Sequence, residues 1–206
     1  GHGAARGDAS KEKRRFAECR GMQVAPTPQG EGSTADDHAL ALGAVGFMRH
    51  DYVNFGFDQA DVIVAAGYEL QEFDPVRINP RGDTKIIHIH RFPAEVDVHY
   101  DVAVGLHADI GRCLDALAAA VVRDQPYSSG HERIRELLAD ELDRGRADGS
   151  FPLTPARIVA DTRTALGRDD IALVDTGALK MWMARLYPTF EPNTCLISNG
   201  LSTMGW

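Results

Sequence analysis

Short apolar runs alternate with amphipathic stretches along the chain, a pattern of alternating strands and helices. Residues 61–66 form an apolar run without polar alternation, which is typical of a buried strand in a parallel sheet. Further strands are predicted at 85–90, 102–106 and, interrupted by proline, 22–27. Because strands that alternate with helices form parallel sheets covered on both sides, the pattern predicts an α/β fold with a Rossmann-like parallel sheet.

Helices are predicted between these strands. Residues 10–20 are polar and rich in lysine and arginine, and residues 51–59 continue the helical pattern. Asp109 is placed to cap a third helix, because an aspartate there can accept from the first backbone N–H groups. The apolar residues of this third helix fall on one face and are Ile110, Leu114, Leu117 and Val121.

A change of composition separates the second half of the chain. Residues 125–130, Gln-Pro-Tyr-Ser-Ser-Gly, read as a linker. A highly charged helix is predicted at 131–146, in which Asp140 and Arg144 are spaced to form an ion pair. The next helix is predicted at 154–166, since it opens with a threonine followed by proline.

The last part of the chain repeats one pattern, an apolar strand that runs into a glycine loop. Residues 171–175 predict a strand, Gly177 a turn and residues 178–187 a helix. Residues 195–197 predict a second strand, which leads into Ser-Asn-Gly ending at Gly200. Open α/β sheets bind ligands beyond the carboxyl ends of their strands, so these two loops predict half of a ligand site.

Composition narrows the classes of function. The 206 residues carry a formal net charge of -8 and are 44% hydrophobic, which is enough for a substantial core. The negative charge argues against nucleic acid or an anionic membrane as partner. Three cysteines without metal-ligand spacing, no long apolar run and no signal-peptide pattern lead us to expect a cytoplasmic protein. The chain does not begin with methionine, and we expect it to be a fragment cut at both ends.

Several stretches together resemble the thiamine-diphosphate enzymes, and among them the acetolactate synthases. Asp-Thr-Gly-Ala-Leu-Lys-Met-Trp at 175–182 and Ile-Ser-Asn-Gly-Leu-Ser-Thr-Met-Gly at 197–205 resemble the start of the diphosphate-binding domain. Residues 42–54, 60–68 and 85–95 are similar to the central domain of the same enzymes. The segment Gly-Tyr-Glu-Leu-Gln-Glu-Phe-Asp-Pro, which begins at Gly67, is similar to the catabolic, FAD-independent acetolactate synthases.

The resemblance implies a domain organisation and an activity. It implies a central α/β domain over 1–124, a linker with a charged helix over 125–153, and the start of a second α/β domain, which binds thiamine diphosphate, over 154–206. The intact enzyme is expected to condense two pyruvates to 2-acetolactate with release of CO2. It is expected to be a homodimer or homotetramer, and the chain alone is expected to be inactive.

The same resemblance assigns the cofactor contacts. Backbone N–H groups at the start of a helix suit a diphosphate, and the resemblance implies such contacts at Gly177, Ala178 and Leu179. It implies further contacts in the second loop, at Gly200, Ser202 and Met204. Met204 corresponds to the bulky residue that holds the two cofactor rings in a bent shape. The backbone carbonyl of Ser202 would accept a hydrogen bond from the pyrimidine amino group. The catalytic glutamate and the Mg2+ ligands are expected outside this chain.

Some acetolactate synthases bind FAD in the central domain, and the resemblance implies contacts at 27–29, 46–48, 67–69 and His90. Two of these positions differ from the flavin users. Glu69 stands in place of an arginine and would repel a diphosphate, and His90 stands in place of a ribose-binding aspartate. We therefore expect a central domain without FAD.

Other interpretations fit the same sequence. A related carboligase, such as one that acts on glyoxylate, or another 2-oxoacid decarboxylase would share the same scaffold. Residues 1–3, Gly-His-Gly, read as a strand-to-helix turn and could serve as the phosphate loop of a nucleotide-binding Rossmann module, although Arg6 replaces the third glycine. A non-catalytic protein of the same fold is the third alternative. His88 and His90 share a strand face, and we expect hydrogen-bonded structural histidines rather than metal ligands.

Overall fold

A computed structural model describes residues 1–46, 48, 51–95, 97–120, 131–202 and 204–205. A three-stranded sheet organises the first part of these residues. Its strands are β1 (Val62–Ala66), β2 (Lys85–His90) and β3 (Val102–His107), in the order β1-β2-β3. Both pairs are parallel, with a register irregularity between Ile86 and Ile87 in the second pair. The predicted α/β fold with a parallel sheet is therefore confirmed.

Both faces of this sheet are covered, but by different means. Alternate residues of β1 point to opposite faces, so that Ile63 and Ala65 join one core and Val64 and Ala66 pack against another. Helices α2 (Ser10–Arg20) and α4 (Ile110–Ala120) cover the second face. The first face is covered by residues outside the helices and the three strands, namely Val45, Tyr68, Ile78 and Tyr100.

The helix predictions in this part hold except over 51–59, where the chain turns at Gly56. Helix α1 (His2–Arg6) begins directly after Gly1, and α2 covers the predicted range. Asp109 caps α4 as predicted, because its Oδ1 accepts from Arg112 N at 3.1 Å. The predicted apolar face of this helix includes Val121, which lies outside the described residues.

Two predictions in this part are wrong. The helix expected over 51–59 is only α3 (Tyr52–Phe55), because the chain turns at Gly56. The strand expected over 22–27 is reduced to one isolated bridge between Val24 and Ala41. The prolines at 26 and 28 remove backbone donors there, and Pro28–Gly30 forms a 3-10 turn. A second 3-10 turn follows at Pro75–Arg77.

The second part of the chain packs around its own core. Helices α5 (Glu132–Ala147), α6 (Pro155–Ala165) and α7 (Ala178–Leu186) accompany the parallel strands β4 (Ala172–Val174) and β5 (Cys195–Ile197). The buried core residues here are Val159, Ala172, Val174, Met183, Ala184, Leu186, Tyr187, Cys195 and Ile197. The predicted linker at 125–130 lies outside the described residues, and the domain boundaries remain predictions.

Two local predictions in this part have different outcomes. Thr154 caps α6 as predicted, since its Oγ1 accepts from Arg157 N at 3.4 Å. The ion pair predicted between Asp140 and Arg144 is wrong, because Arg144 Nε donates at 3.3 Å to the backbone carbonyl of Asp140 and not to its carboxylate. Among the helices that the structure describes, none has the length and apolar character needed to cross a bilayer.

Candidate functional site

The ends of strands β4 and β5 lie side by side at one edge of their sheet. Val174 pairs with Ile197, and Ser198 N donates to Val174 O at 3.0 Å, so the pairing continues one residue beyond β5. Since the strands are parallel, the loops that follow them leave from the same edge. The predicted juxtaposition of the two glycine loops is thus present in the structure.

The first of these loops turns on Gly177. This residue has φ +102°, a conformation that glycine adopts at little cost, and no atom would lie within 4 Å of a Cβ built on it. Helix α7 begins at the next residue, and no side chain caps its first turn. The first N–H groups of a helix have no partner within the helix, so this end of α7 presents donors that suit an anion.

The two loops are tied together by side chains. Asp175 accepts from Thr176 N at 2.6 Å through Oδ1 and from Gly205 N at 2.7 Å through Oδ2. These hydrogen bonds lower the pKa of the Asp175 carboxyl, and the bond from Gly205 has the largest effect. Lys180 Nζ donates to Asn199 Oδ1 at 2.5 Å, and partial burial lowers the pKa of its ammonium group. Lys180 thus links α7 to the second loop.

The remaining predicted contact residues lie around this edge. Ala178 is exposed and Leu179 is 44% exposed at the start of α7. Gly200 has φ +80°, and Ser202 N donates to Gly200 O at 2.9 Å, which makes the second loop a tight turn. Met204 is 80% exposed and belongs to none of the three cores of the described chain. The roles of these residues toward a cofactor stay predictions.

Asp175 and Asn199 are the residues at this edge whose roles the sequence analysis did not identify. Each follows the end of an apolar strand, and aspartate and asparagine at such positions commonly bind nearby backbone or side-chain groups. That signal is present in the sequence, but it does not identify the partner. The partners, Gly205 and Lys180, are fixed only by the folding of the two loops against each other.

The comparison with known proteins fits this architecture. Residues 1–117, more than half of the chain, match the family described as "Thiamine pyrophosphate enzyme, central domain". The chain belongs to this family. Thiamine pyrophosphate is another name for thiamine diphosphate, so the family that the sequence resembles is confirmed, and the cofactor of the family is thiamine diphosphate.

Curated relatives extend the similarity to almost the whole chain. A "Probable acetolactate synthase large subunit" of Methanocaldococcus jannaschii is 33% identical over 96% of the chain and 35% of that protein. An "Acetolactate synthase" of Bacillus subtilis is 27% identical over 97% of the chain and 36% of that protein. An "Acetolactate synthase, catabolic" of Raoultella terrigena is 30% identical over 82% of the chain and 31% of that protein. The chain therefore spans about a third of the length of these relatives.

The edge at Gly177 fits a diphosphate group in its chemistry. It combines an uncapped helix start, open space beside Gly177, and a second loop held at the same edge by Asp175. Within the described part of the chain, no group of three or more His, Cys, Asp or Glu side chains is placed to hold a metal ion. The ligands that the resemblance implies for Mg2+ are expected outside the chain.

The two histidines of β2 are held by protein groups, as the sequence predicts. His88 Nδ1 lies 2.8 Å from Tyr100 Oη, and His90 Nδ1 accepts from Phe92 N at 3.1 Å. Their rings stack with centroids 5.7 Å apart. Burial lowers the pKa of both imidazoles, which favours their neutral forms.

Proposed function

We propose that the complete protein is a thiamine-diphosphate-dependent acetolactate synthase. It takes two molecules of pyruvate, releases the carboxylate of one as CO2, and joins the remaining two-carbon unit to the carbonyl carbon of the other. One proton is taken up, and the product is 2-acetolactate. The observation that carries the proposal is the pairing of β4 with β5, which sets the Gly177 and Gly200 loops at one sheet edge in a chain similar to acetolactate synthases.

The chain contributes binding and orientation. Thiamine diphosphate, when bound, supplies the electron sink for decarboxylation and carbon–carbon bond formation. The backbone N–H groups of Ala178 and Leu179, at the uncapped start of α7, would hold its diphosphate, and the open space at Gly177 would admit it. The carbonyl of Ser202 would accept from the pyrimidine amino group, and Met204 would support the rings, since a flexible thioether packs well beside an aromatic group.

The remaining partners belong to the same proposal. Mg2+ accompanies the diphosphate, with ligands from outside this chain. The active enzyme is a cytoplasmic homodimer or homotetramer. Pyruvate, or a related 2-oxoacid, is the substrate, and the names of the relatives favour pyruvate.

The test is an assay of the complete protein with thiamine diphosphate, Mg2+ and pyruvate. We expect CO2 and 2-acetolactate in a ratio of one to one, and no product when the cofactor is omitted or the metal is chelated. Parallel reactions with glyoxylate and other 2-oxoacids distinguish an acetolactate synthase from the related carboligases. CO2 release from pyruvate without acetolactate, or turnover of glyoxylate alone, would contradict the proposal while leaving the cofactor assignment intact.

A further inference from the structure

A buried carboxylate lies beyond the carboxyl end of strand β1. The side chain of Glu72 is only 1% exposed, and three donors reach it. Thr27 Oγ1 donates to its Oε2 at 2.5 Å and His2 N donates to the same oxygen at 2.9 Å. Glu69 N donates to its Oε1 at 3.0 Å. Both carboxylate oxygens are thus bound inside the protein.

The donors come from three separate segments of the chain. They are two backbone N–H groups and a hydroxyl, and His2 Nδ1 also lies 3.1 Å from Glu72 Oε1. Proteins bind phosphate ligands with converging sets of N–H and O–H donors of this kind. Two of the segments, around Thr27 and Glu69, are also among those at which the resemblance implies flavin contacts.

Close backbone packing encloses the Glu72 carboxylate. Gly3 N donates to Gly67 O at 2.9 Å, and a Cβ on Gly67 would lie 2.2 Å from Ala4 N. A Cβ on Gly1 would lie 2.4 Å from Glu72 Oε1. The segments therefore approach one another around the carboxylate, and a phosphate could reach the donors only by displacing it.

A second carboxylate adds negative charge beside the first. Glu69 Oε1 lies 3.4 Å from His2 Nε2 and 3.4 Å from His90 Nε2. Burial lowers the pKa of His90, so this imidazole does not supply a strong compensating charge. An incoming diphosphate would meet two glutamates here and would lose the three donors that Glu72 already uses. The residues at this edge do not fit the diphosphate of FAD.

We propose that Glu72 is a built-in anion that occupies the phosphate position of the central sheet and makes this edge reject phosphate-bearing ligands. Its carboxylate satisfies the donors that an external phosphate would otherwise bind. The specificity of the central domain is then set by one side chain from within the chain, and removal of that side chain turns the same donors into a phosphate site.

The test compares Glu72→Ala with the wild type in the complete protein, with inorganic phosphate as the probe at constant ionic strength. We expect phosphate to raise the melting temperature of the alanine variant in a saturable way, since a ligand that binds only the folded state stabilises it. Phosphate should bind the variant at least about tenfold more tightly than the wild type, because hydrogen bonds to a charged group are regained. Adding Thr27→Val should weaken that binding again by about tenfold.

Glu72→Gln serves as the matched control, because it keeps the volume of the side chain and removes its charge. We expect it to bind no phosphate and to unfold at lower denaturant concentration than the wild type, since its amide nitrogen faces a donor. A phosphate effect that is absent in Glu72→Ala, or equal in the wild type, would overturn the proposal. So would wild-type stability of Glu72→Gln, or wild-type protein that purifies with stoichiometric flavin absorbance.

Discussion

Met204 is a candidate site residue that packs into none of the cores of the described chain. Its side chain is 80% exposed, so Met204→Ala should leave the stability of the described chain within about 0.5 kcal/mol. If it supports the cofactor rings, the alanine variant of the complete enzyme should lose about 100-fold in kcat, because a reacting group is misplaced. Thiamine diphosphate affinity should change little, since the proposal assigns the diphosphate to the loop at Gly177. Steady-state kinetics on pyruvate, cofactor titration and thermal melts measure the three quantities.

The control for this prediction is Met204→Leu, which keeps the volume of the side chain and should retain most of the turnover. An alanine variant with the kcat of the wild type would remove Met204 from the proposed site. A loss of melting temperature in proportion to the loss of activity would instead assign it to a packing contact made elsewhere in the complete protein.

Asp175 is predicted to act as a positioning residue for the same site. Asp175→Ala releases Thr176 N and Gly205 N, so the second loop is no longer held against the first. Hydrogen bonds to a carboxylate contribute about 1.5–3 kcal/mol, and we expect a loss of this size to appear as weaker thiamine diphosphate binding, roughly tenfold or more. Equilibrium titration of the complete apoenzyme with the cofactor measures it.

Asp170 offers a matched control, because its Oδ2 accepts from Gly167 N at 2.6 Å in a loop on the other side of β4. Asp170→Ala should cost comparable local stability and leave cofactor affinity unchanged. Equal cofactor affinity in the two alanine variants would show that Asp175 does not position the site.

At the scale of elements, the strands were the most predictable part of the fold. Strands β2 and β5 begin and end where the sequence predicts them, because buried parallel strands require unbroken apolar runs. The predictions fail where local pattern competes with tertiary contacts. Residues 22–27 have the composition of a strand, but their prolines leave only one bridge, and the pairing partner at Ala41 is not visible in the sequence.

Helix α7 is anchored by a contact between elements that the sequence does not indicate. Arg185 Nε donates to Asp51 Oδ1 at 2.9 Å, and its Nη2 donates to Glu141 Oε2 at 2.7 Å. Asp51 also caps α3, accepting from Tyr52 N at 2.8 Å, and Glu141 belongs to α5. One guanidinium thus joins three helices that are far apart in sequence, including the helix that begins at Gly177.

Arg185→Met should therefore destabilise the protein by about 3 kcal/mol, because it leaves two largely buried carboxylates without their cation. Arg133→Met is the control, since the pair of Arg133 with Glu136 is well exposed and contributes about 1 kcal/mol or less. Chemical denaturation of the two variants measures the difference. Equal stabilities would show that the Arg185 cluster does not hold the helices together.

At the scale of the whole molecule, the sequence predicted the family and the parallel α/β architecture, because the motifs stand in order along nearly the whole chain. It also predicted which loops meet, since parallel strands bring their carboxyl ends to one edge. It could not predict the three-segment enclosure of Glu72 or the partners of Asp175. Those depend on distances between loops that are set by packing and not by local pattern.

A partly buried lysine makes the stability of the whole molecule depend on pH. Lys13 donates to Ser33 Oγ, and its pKa is lowered to about 7 by burial first and by the nearby Arg14 second, whereas Asp36 raises it. In the unfolded chain its pKa is about 10.4. Between these values the unfolded state binds more protons than the folded state, so this residue makes stability rise with pH.

We therefore expect Lys13→Met to flatten the pH dependence of the free energy of unfolding between pH 7 and about 8.5, below the range in which unfolded cysteines ionise. Over this window the slope should fall by about 1 kcal/mol per pH unit relative to the wild type, since the linkage approaches one proton. Lys11→Met is the control, because Lys11 is exposed on the same helix and its removal should leave the slope unchanged. Denaturant unfolding at a series of pH values measures both variants. A slope in Lys13→Met equal to that of the wild type would contradict this prediction. It would mean that Lys13 stays protonated in the folded protein over the whole window, because its contacts with Asp36 and Ser33 outweigh the effect of burial.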